Sequence, residues 1–180
     1  AREQTALVHQ LIAGNDQQTV VTLLSQLLEI SPWSPSFRAL RAHSYLAVGD
    51  RMSAVSDFKS VNRLMQDGSD DLTTHIYNLA KLFYDLGHAA DSLKEIRECL
   101  KLDPEHKLCF PFYKKVKKID KFVGDAELHR ENKEFTECVS SAEKILKNEK
   151  EVPMIIFTGN QLLCSCSVKS DKFSDAITYC

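Results

Sequence analysis

Apolar residues recur along this chain at the three- and four-residue intervals of half-buried helices, separated by short polar or glycine-bearing breaks. The clearest instance is the stretch 87–104, GHAADSLKEIRECLKLDP. Leu93, Ile96, Cys99, Leu100 and Leu102 form its apolar stripe, while Arg97, Glu98 and Lys101 lie off it. Pro104 cannot continue a helix and restricts the residue before it, so the helix is expected to stop near Leu102 or Asp103. The same order of turn, amphipathic helix and stop appears earlier. Gly14-Asn15-Asp16 leads into Val20, Val21, Leu23, Leu24, Leu27, Leu28 and Ile30, with a stop at Pro32. Gly49-Asp50 leads into Ala54, Val55, Phe58, Val61 and Leu64.

A step of about 34 residues, the period of the tetratricopeptide repeat (TPR), brings Asn15 onto Gly49, Val20 onto Ala54 and Leu24 onto Phe58. The predicted fold is therefore all-α, a right-handed α-solenoid of TPR helix pairs. Units start near 1, 35, 73, 119 and 157, the last being incomplete. The wider spacing between Gly49 and Gly87 is absorbed by a loop at 66–71, QDGSDD. Ala42, Ala54, Ala80 and Ser92 occupy the slots where paired helices approach closely, and larger residues there would overpack. Beyond Pro104 the pattern stretches into one unusually long helix near 106–131, with Phe112, Val116, Ile119, Phe122 and Leu128 facing inward. Gly124-Asp125 is the only break signal inside it. Pro111 sits near its start, where a missing backbone donor costs least, or else kinks it. Turns follow at Asn132-Lys133 and at Ser170-Asp171-Lys172. Trp33, between Pro32 and Pro35, is expected to plug an inter-repeat turn.

Composition narrows the function classes. With 43% hydrophobic and 27% charged residues, the 180-residue chain can bury a sizeable core, and 6 glycines and 5 prolines favour long helices. No apolar run reaches the roughly 18 residues of a membrane span. The opening residues, AREQTALVHQ, lack the layout of a signal peptide, so none is expected within this chain. A net charge of -2 gives no footprint for nucleic acid.

Six cysteines carry the most information. Six free thiols are one reading; position favours another for two pairs. Cys99 ends one helix and Cys109 begins the next across a short turn. Cys164 lies on the first helix of the last unit, with Cys180 opposite it on the second. Both pairs are compatible with the Cα separation of a disulfide, about 4.4–6.8 Å. Cys138 and Cys166 are expected to stay unpaired. A metal site at Cys164-x-Cys166 is disfavoured, because it lacks a second thiol pair or a histidine at zinc spacing. No phosphate loop, H-E-x-x-H or G-x-S-x-G occurs, and no histidine and carboxylate flank a cysteine in a recognisable motif, so neither an enzyme nor a cofactor is expected. Lys114, Lys115, Lys117 and Lys118, with Lys121, form a basic run that is either a solvated helix face or a contact for an acidic partner. Tyr45, Tyr77 and Tyr84 are the candidate apolar contacts on the first helices.

The segments DSLKEIRECLKLDPEHKLC and FYKKVKKIDK, with SFRALRAHSYLAVGD and FSDAITYC, resemble a particular family. It is the endoplasmic-reticulum co-chaperones that combine TPR units with a C-terminal J domain, described as inhibitors of the interferon-induced, double-stranded-RNA-activated protein kinase. The resemblance implies a luminal protein of the unfolded-protein response, with disulfides compatible with Cys99–Cys109 and Cys164–Cys180. It further implies binding of unfolded polypeptides for a luminal heat-shock ATPase, and inhibition of kinases of the translation initiation factor 2 alpha subunit. The chain departs from the family pattern at Pro111 and at Trp33-Ser34. No His-Pro-Asp tripeptide occurs, so this chain alone is not expected to stimulate an ATPase. The slots that hold cations in clamp-type TPR proteins carry Thr5, His9, Leu40, Thr74 and Asn78, which disfavours capture of an acidic chaperone tail. A cytoplasmic TPR adaptor with every cysteine reduced is the alternative.

Overall fold

The computed structural model describes residues 16–65 and 72–180, and every regular element among them is a helix. The expected first helix with Thr5 and His9, the start of its turn at Gly14-Asn15, and the loop 66–71 lie outside the described residues. Two compact units are present, Ala1–Leu79 and Ala80–Cys180.

The first unit holds α1 (Gln17–Ile30), α2 (Pro35–Ala47), α3 (Arg51–Leu64) and the start of α4 (Leu72–Asp85). Each of the first three helices begins on a side-chain cap. Asp16 accepts the Thr19 N–H at 3.2 Å, Ser34 the Phe37 N–H at 3.3 Å, and Asp50 the Ser53 N–H at 3.0 Å. Pro35 occupies the first turn of α2, where no intrahelical donor is needed. Gly49 turns the chain between α2 and α3 at φ +87°, a conformation that favours glycine. Val20, Leu24 and Leu27 form the apolar centre of α1, against which Phe37 and Leu40 of α2 pack.

One charge is buried among these helices. Asp57 of α3 is 3% exposed and takes a two-point hydrogen bond from Arg41, at 2.7 and 2.9 Å. Arg41 also donates to Ser25 on α1 at 3.0 Å, and Arg38 reaches the same carboxylate at 3.4 Å. The hydrogen bond to Asp57 raises the Arg41 pKa further above its ordinary value, against the opposing effect of burial. Thus Arg41 joins α1 and α3 to α2, through Ser25 and Asp57. Asp57→Asn keeps the shape but removes the charge, and is expected to cost about 2 kcal/mol in urea unfolding at neutral pH.

The second unit holds the end of α4, then α5 (Ala89–Leu102), α6 (Cys109–Glu131), α7 (Phe135–Asn148), α8 (Pro153–Lys169) and α9 (Phe173–Tyr179). Gly87 repeats the φ of +87° seen at Gly49. The two later turns use Lys133 at φ 64° and Asp171 at φ 58°, so the expected breaks are present without glycine. The fourth residue of α3, α5, α7 and α9 is Ala54, Ser92, Cys138 and Ala176 respectively, and all four are almost completely buried. No helix among the described residues is long and apolar enough to cross a membrane.

Several expectations change here. The long helix spans 23 residues and starts at Cys109, so the unit starts expected near 119 and 157 fall inside α6 and α8. Pro111 is its third residue, within the first turn whose donors need no intrahelical partner. Gly124 does not interrupt it: an exposed glycine in a long helix costs only about 1 kcal/mol. Leu128, expected inside, is 55% exposed. Trp33 is no plug either. Its neighbours Pro32 and Pro35 hold the turn, and the side chain is 78% exposed.

Candidate partner-binding surface and its buried anchor

The seven candidate contact residues separate into two groups. Tyr45 and Tyr77 are half-buried in the first unit, and the Arg41 guanidinium lies 5.6 Å from the Tyr45 ring. On α6, Lys114, Lys117 and Lys118 are exposed. The Lys114 ammonium sits 4.1 Å from the centre of the Phe110 ring, and that of Lys117 lies 5.6 Å from Tyr113.

Tyr84 is buried, which corrects its assignment as a partner contact, and Lys115, although partly open to water, is engaged by an internal carboxylate. Tyr84 is 1% exposed. Its hydroxyl donates to Glu149 Oε2 at 2.6 Å, and its ring meets Phe112 edge-on at 5.6 Å. The Lys115 ammonium lies 2.9 Å from the same carboxylate oxygen. Glu149 Oε1 accepts the backbone N–H groups of Lys150, Glu151 and Val152 at 2.9, 2.8 and 3.2 Å. This 2%-exposed carboxylate therefore has every lone pair engaged, and it ties α4 and α6 to the loop between α7 and α8. Burial alone would push the carboxyl up. The Tyr84 hydroxyl, the loop N–H groups and the Lys115 ammonium outweigh it and hold the group down at about 2. Burial first, and then the bond to Glu149, drive the Tyr84 phenol well above its ordinary value. Sequence reasoning missed Glu149, because neither its spacing nor its neighbours mark it as internal.

Three disulfides join successive helices of the second unit. Cys99–Cys109 links α5 to α6, with Cα atoms 6.4 Å apart. Cys164–Cys180 links α8 to the residue after α9, at 5.1 Å. Cys138–Cys166 links α7 to α8 at 6.2 Å, so these two cysteines are not unpaired as expected. Both are fully buried. Cys138 fills the slot that Ala54 and Ser92 fill in earlier units, facing the neighbouring helix, and that correspondence was the available signal.

Among the described residues, one group has metal-binding proximity: the ligand atoms of Cys99, His106 and Cys109 lie within 4.8 Å of one another. With both sulfurs bonded to each other, its thiolate donors are spent. His106 Nδ1 instead accepts the N–H groups of Leu108 and Cys109 at 3.4 and 3.2 Å, capping α6. The Cys164 and Cys166 sulfurs are committed to different bridges.

No protein-family model matches the chain. Among curated proteins it is similar to DnaJ homolog subfamily C member 3 of Rattus norvegicus, 36% identical over 165 residues, which covers 92% of this chain and 32% of that protein. The Homo sapiens protein of the same name is 34% identical over 167 residues, covering 93% and 32%. A "Tetratricopeptide repeat and J domain-containing co-chaperone DNJ1" of Fusarium oxysporum is 32% identical over 108 residues, covering 60% of this chain and 20% of that protein. The crystal structure of the P58(IPK) TPR domain superposes with a TM-score of 0.90 at 34% identity, over 99% of this chain and 49% of that one. The helix pairs, their turn positions and these similarities agree: the chain is a tetratricopeptide-repeat array homologous to part of the DnaJ subfamily C member 3 proteins, and it spans about a third of their length.

Proposed function

We propose that this chain is a non-enzymatic co-chaperone scaffold of the endoplasmic-reticulum lumen. In this reading it holds unfolded polypeptides for a luminal heat-shock ATPase, recruited through a J domain elsewhere, and serves the unfolded-protein response by restraining kinases of the translation initiation factor 2 alpha subunit. The observation that carries it is the 0.90 TM-score match to the P58(IPK) TPR domain, alongside homology to DnaJ proteins across 92% of the chain. Three disulfides in a chain of this size support an oxidising compartment over a cytoplasmic adaptor.

The test is binding of a reduced, permanently unfolded model protein at low and high salt. Apolar capture predicts micromolar binding that persists in about 0.5 M salt, where exposed charge pairs are screened. Absence of binding at both salt concentrations overturns the client-holding role. Alkylation of the non-reduced protein from the secretory pathway, followed by intact mass, tests the compartment. No labelled cysteine is expected, and six labelled cysteines overturn a luminal home.

A further inference from the structure

We infer that the outer face of α6 is a docking seam for an acidic helix of a partner protein. Phe110, Lys114, Lys117, Lys121, Gly124 and Leu128 succeed one another at intervals of four, three, four, three and four residues. That alternation is the spacing of a helix–helix seam, and it places all six on one line along α6. The opposite line holds the buried Val116, Ile119 and Ala126, so the seam points outward. Every one of the six is exposed, including Phe110 at 44% and Leu128 at 55%.

The chemistry of the stripe selects the partner. Its centre is three ammonium groups, and among the described residues no ion pair joins any of them to a carboxylate. Its ends are a phenyl ring and a leucine. The Phe110 ring beneath the Lys114 ammonium restrains that side chain, lowering the entropy lost when it meets a carboxylate. Nothing lies within 4 Å of where a Gly124 side chain would project, so a second backbone can approach closely there. The eighteen helical steps from Phe110 to Leu128 rise about 27 Å, which sets the partner's length. It is an amphipathic helix with carboxylates at the central seam positions and an apolar residue at each end. A membrane surface fits less well, because the apolar groups stand at opposite ends of the stripe and carboxylates occur on the same helix at Asp120, Asp125 and Glu127.

This seam is independent of client capture, since it depends on charge and on helical spacing. The probe is a labelled, capped helical peptide with leucine at both ends of a four–three seam and glutamate at the central seam positions. At low salt it is expected to bind this chain, and its glutamine analogue about tenfold or more weakly. Lys117→Glu with Lys121→Glu is expected to reverse the preference, favouring a lysine-bearing analogue. Gly124→Leu, a change the open space accommodates and a helix favours, is expected to weaken the glutamate peptide about tenfold without lowering the melting temperature. Equal binding of glutamate and glutamine peptides overturns the proposal. So does full binding to the Gly124→Leu protein, or stronger lysine-dependent binding to phosphatidylserine vesicles than to the peptide. Unfolded-client binding in high salt is expected to be unchanged in both variants.

Discussion

Replacing Glu149 with alanine is expected to destabilise the 80–180 unit by about 3–5 kcal/mol, lowering its melting temperature by roughly 15 °C or more. The truncation leaves three loop N–H groups, the Tyr84 hydroxyl and the Lys115 ammonium without their acceptor. Buried donors stripped of a partner cost more than the pairing itself contributed. Tyr84→Phe removes one donor and is expected to cost about 1–2 kcal/mol. Lys115→Met is expected to cost less, because that ammonium is partly open to water. The pH dependence follows from the depressed carboxyl. Its folded value, about 2, lies below the ordinary one, so the stabilisation is complete above roughly pH 4.3 and fades as pH falls toward 2. Urea unfolding of wild type and Glu149→Gln at pH 6 and pH 2.5 checks this. The gap between the two proteins is expected to be about 3 kcal/mol at the higher pH and to shrink at the lower. A gap that stays constant would show that the carboxylate's charge contributes nothing.

Removing the bridge inside the core is the second large effect. Cys138→Ala with Cys166→Ala opens a loop closed across 28 residues, and the chain-entropy account gives a loss of about 3–4 kcal/mol. The substitution is small in volume, and alanine already occupies the equivalent slot in α3, so overpacking is not introduced. The other two bridges are expected to form normally in this variant, as read by peptide mapping without reduction. Denaturant unfolding then isolates the contribution of the buried bridge. A loss well under 1 kcal/mol would mean that residual contact between the α7 and α8 segments already restricts the unfolded chain about as strongly as the bridge does.

How much of this was legible in the residues depends on the range over which each signal acts. The turns at Gly49 and Gly87 were readable because a left-handed backbone selects glycine locally. Asn132-Lys133 and Ser170-Asp171-Lys172 were readable from polar composition, although the left-handed positions fall on Lys133 and Asp171. The start of α6 was obscured because a proline near a helix start can stand at its first, second or third position with little difference in cost. Glu149 was illegible: its anchor, Tyr84, lies 65 residues away, and an acidic residue in a polar loop looks solvated until the tertiary contact is known. Tyr84 was misassigned for the same reason, since position on a first helix does not say whether a neighbouring loop covers the ring. The Cys138–Cys166 bridge lay between these cases. The spacing marks the slot as a small-residue position, but a cysteine there fits as a free buried thiol as well as a bridge until the facing Cys166 is known.

The linkage pattern of the last two bridges also governs how the chain responds to tension. Cys164 lies between Cys138 and Cys166 in sequence, so its bond to Cys180 interlocks with theirs. Pulled from both ends, the oxidised chain passes from Cys138 across a sulfur bond to Cys166, back two residues to Cys164, and across a second bond to Cys180. Roughly forty residues of contour are thereby withheld from extension, on the order of 130 Å at the reach of a stretched backbone. A translocating motor that threads single strands meets there three strands held by two cross-links, until a thiol reductant cuts them.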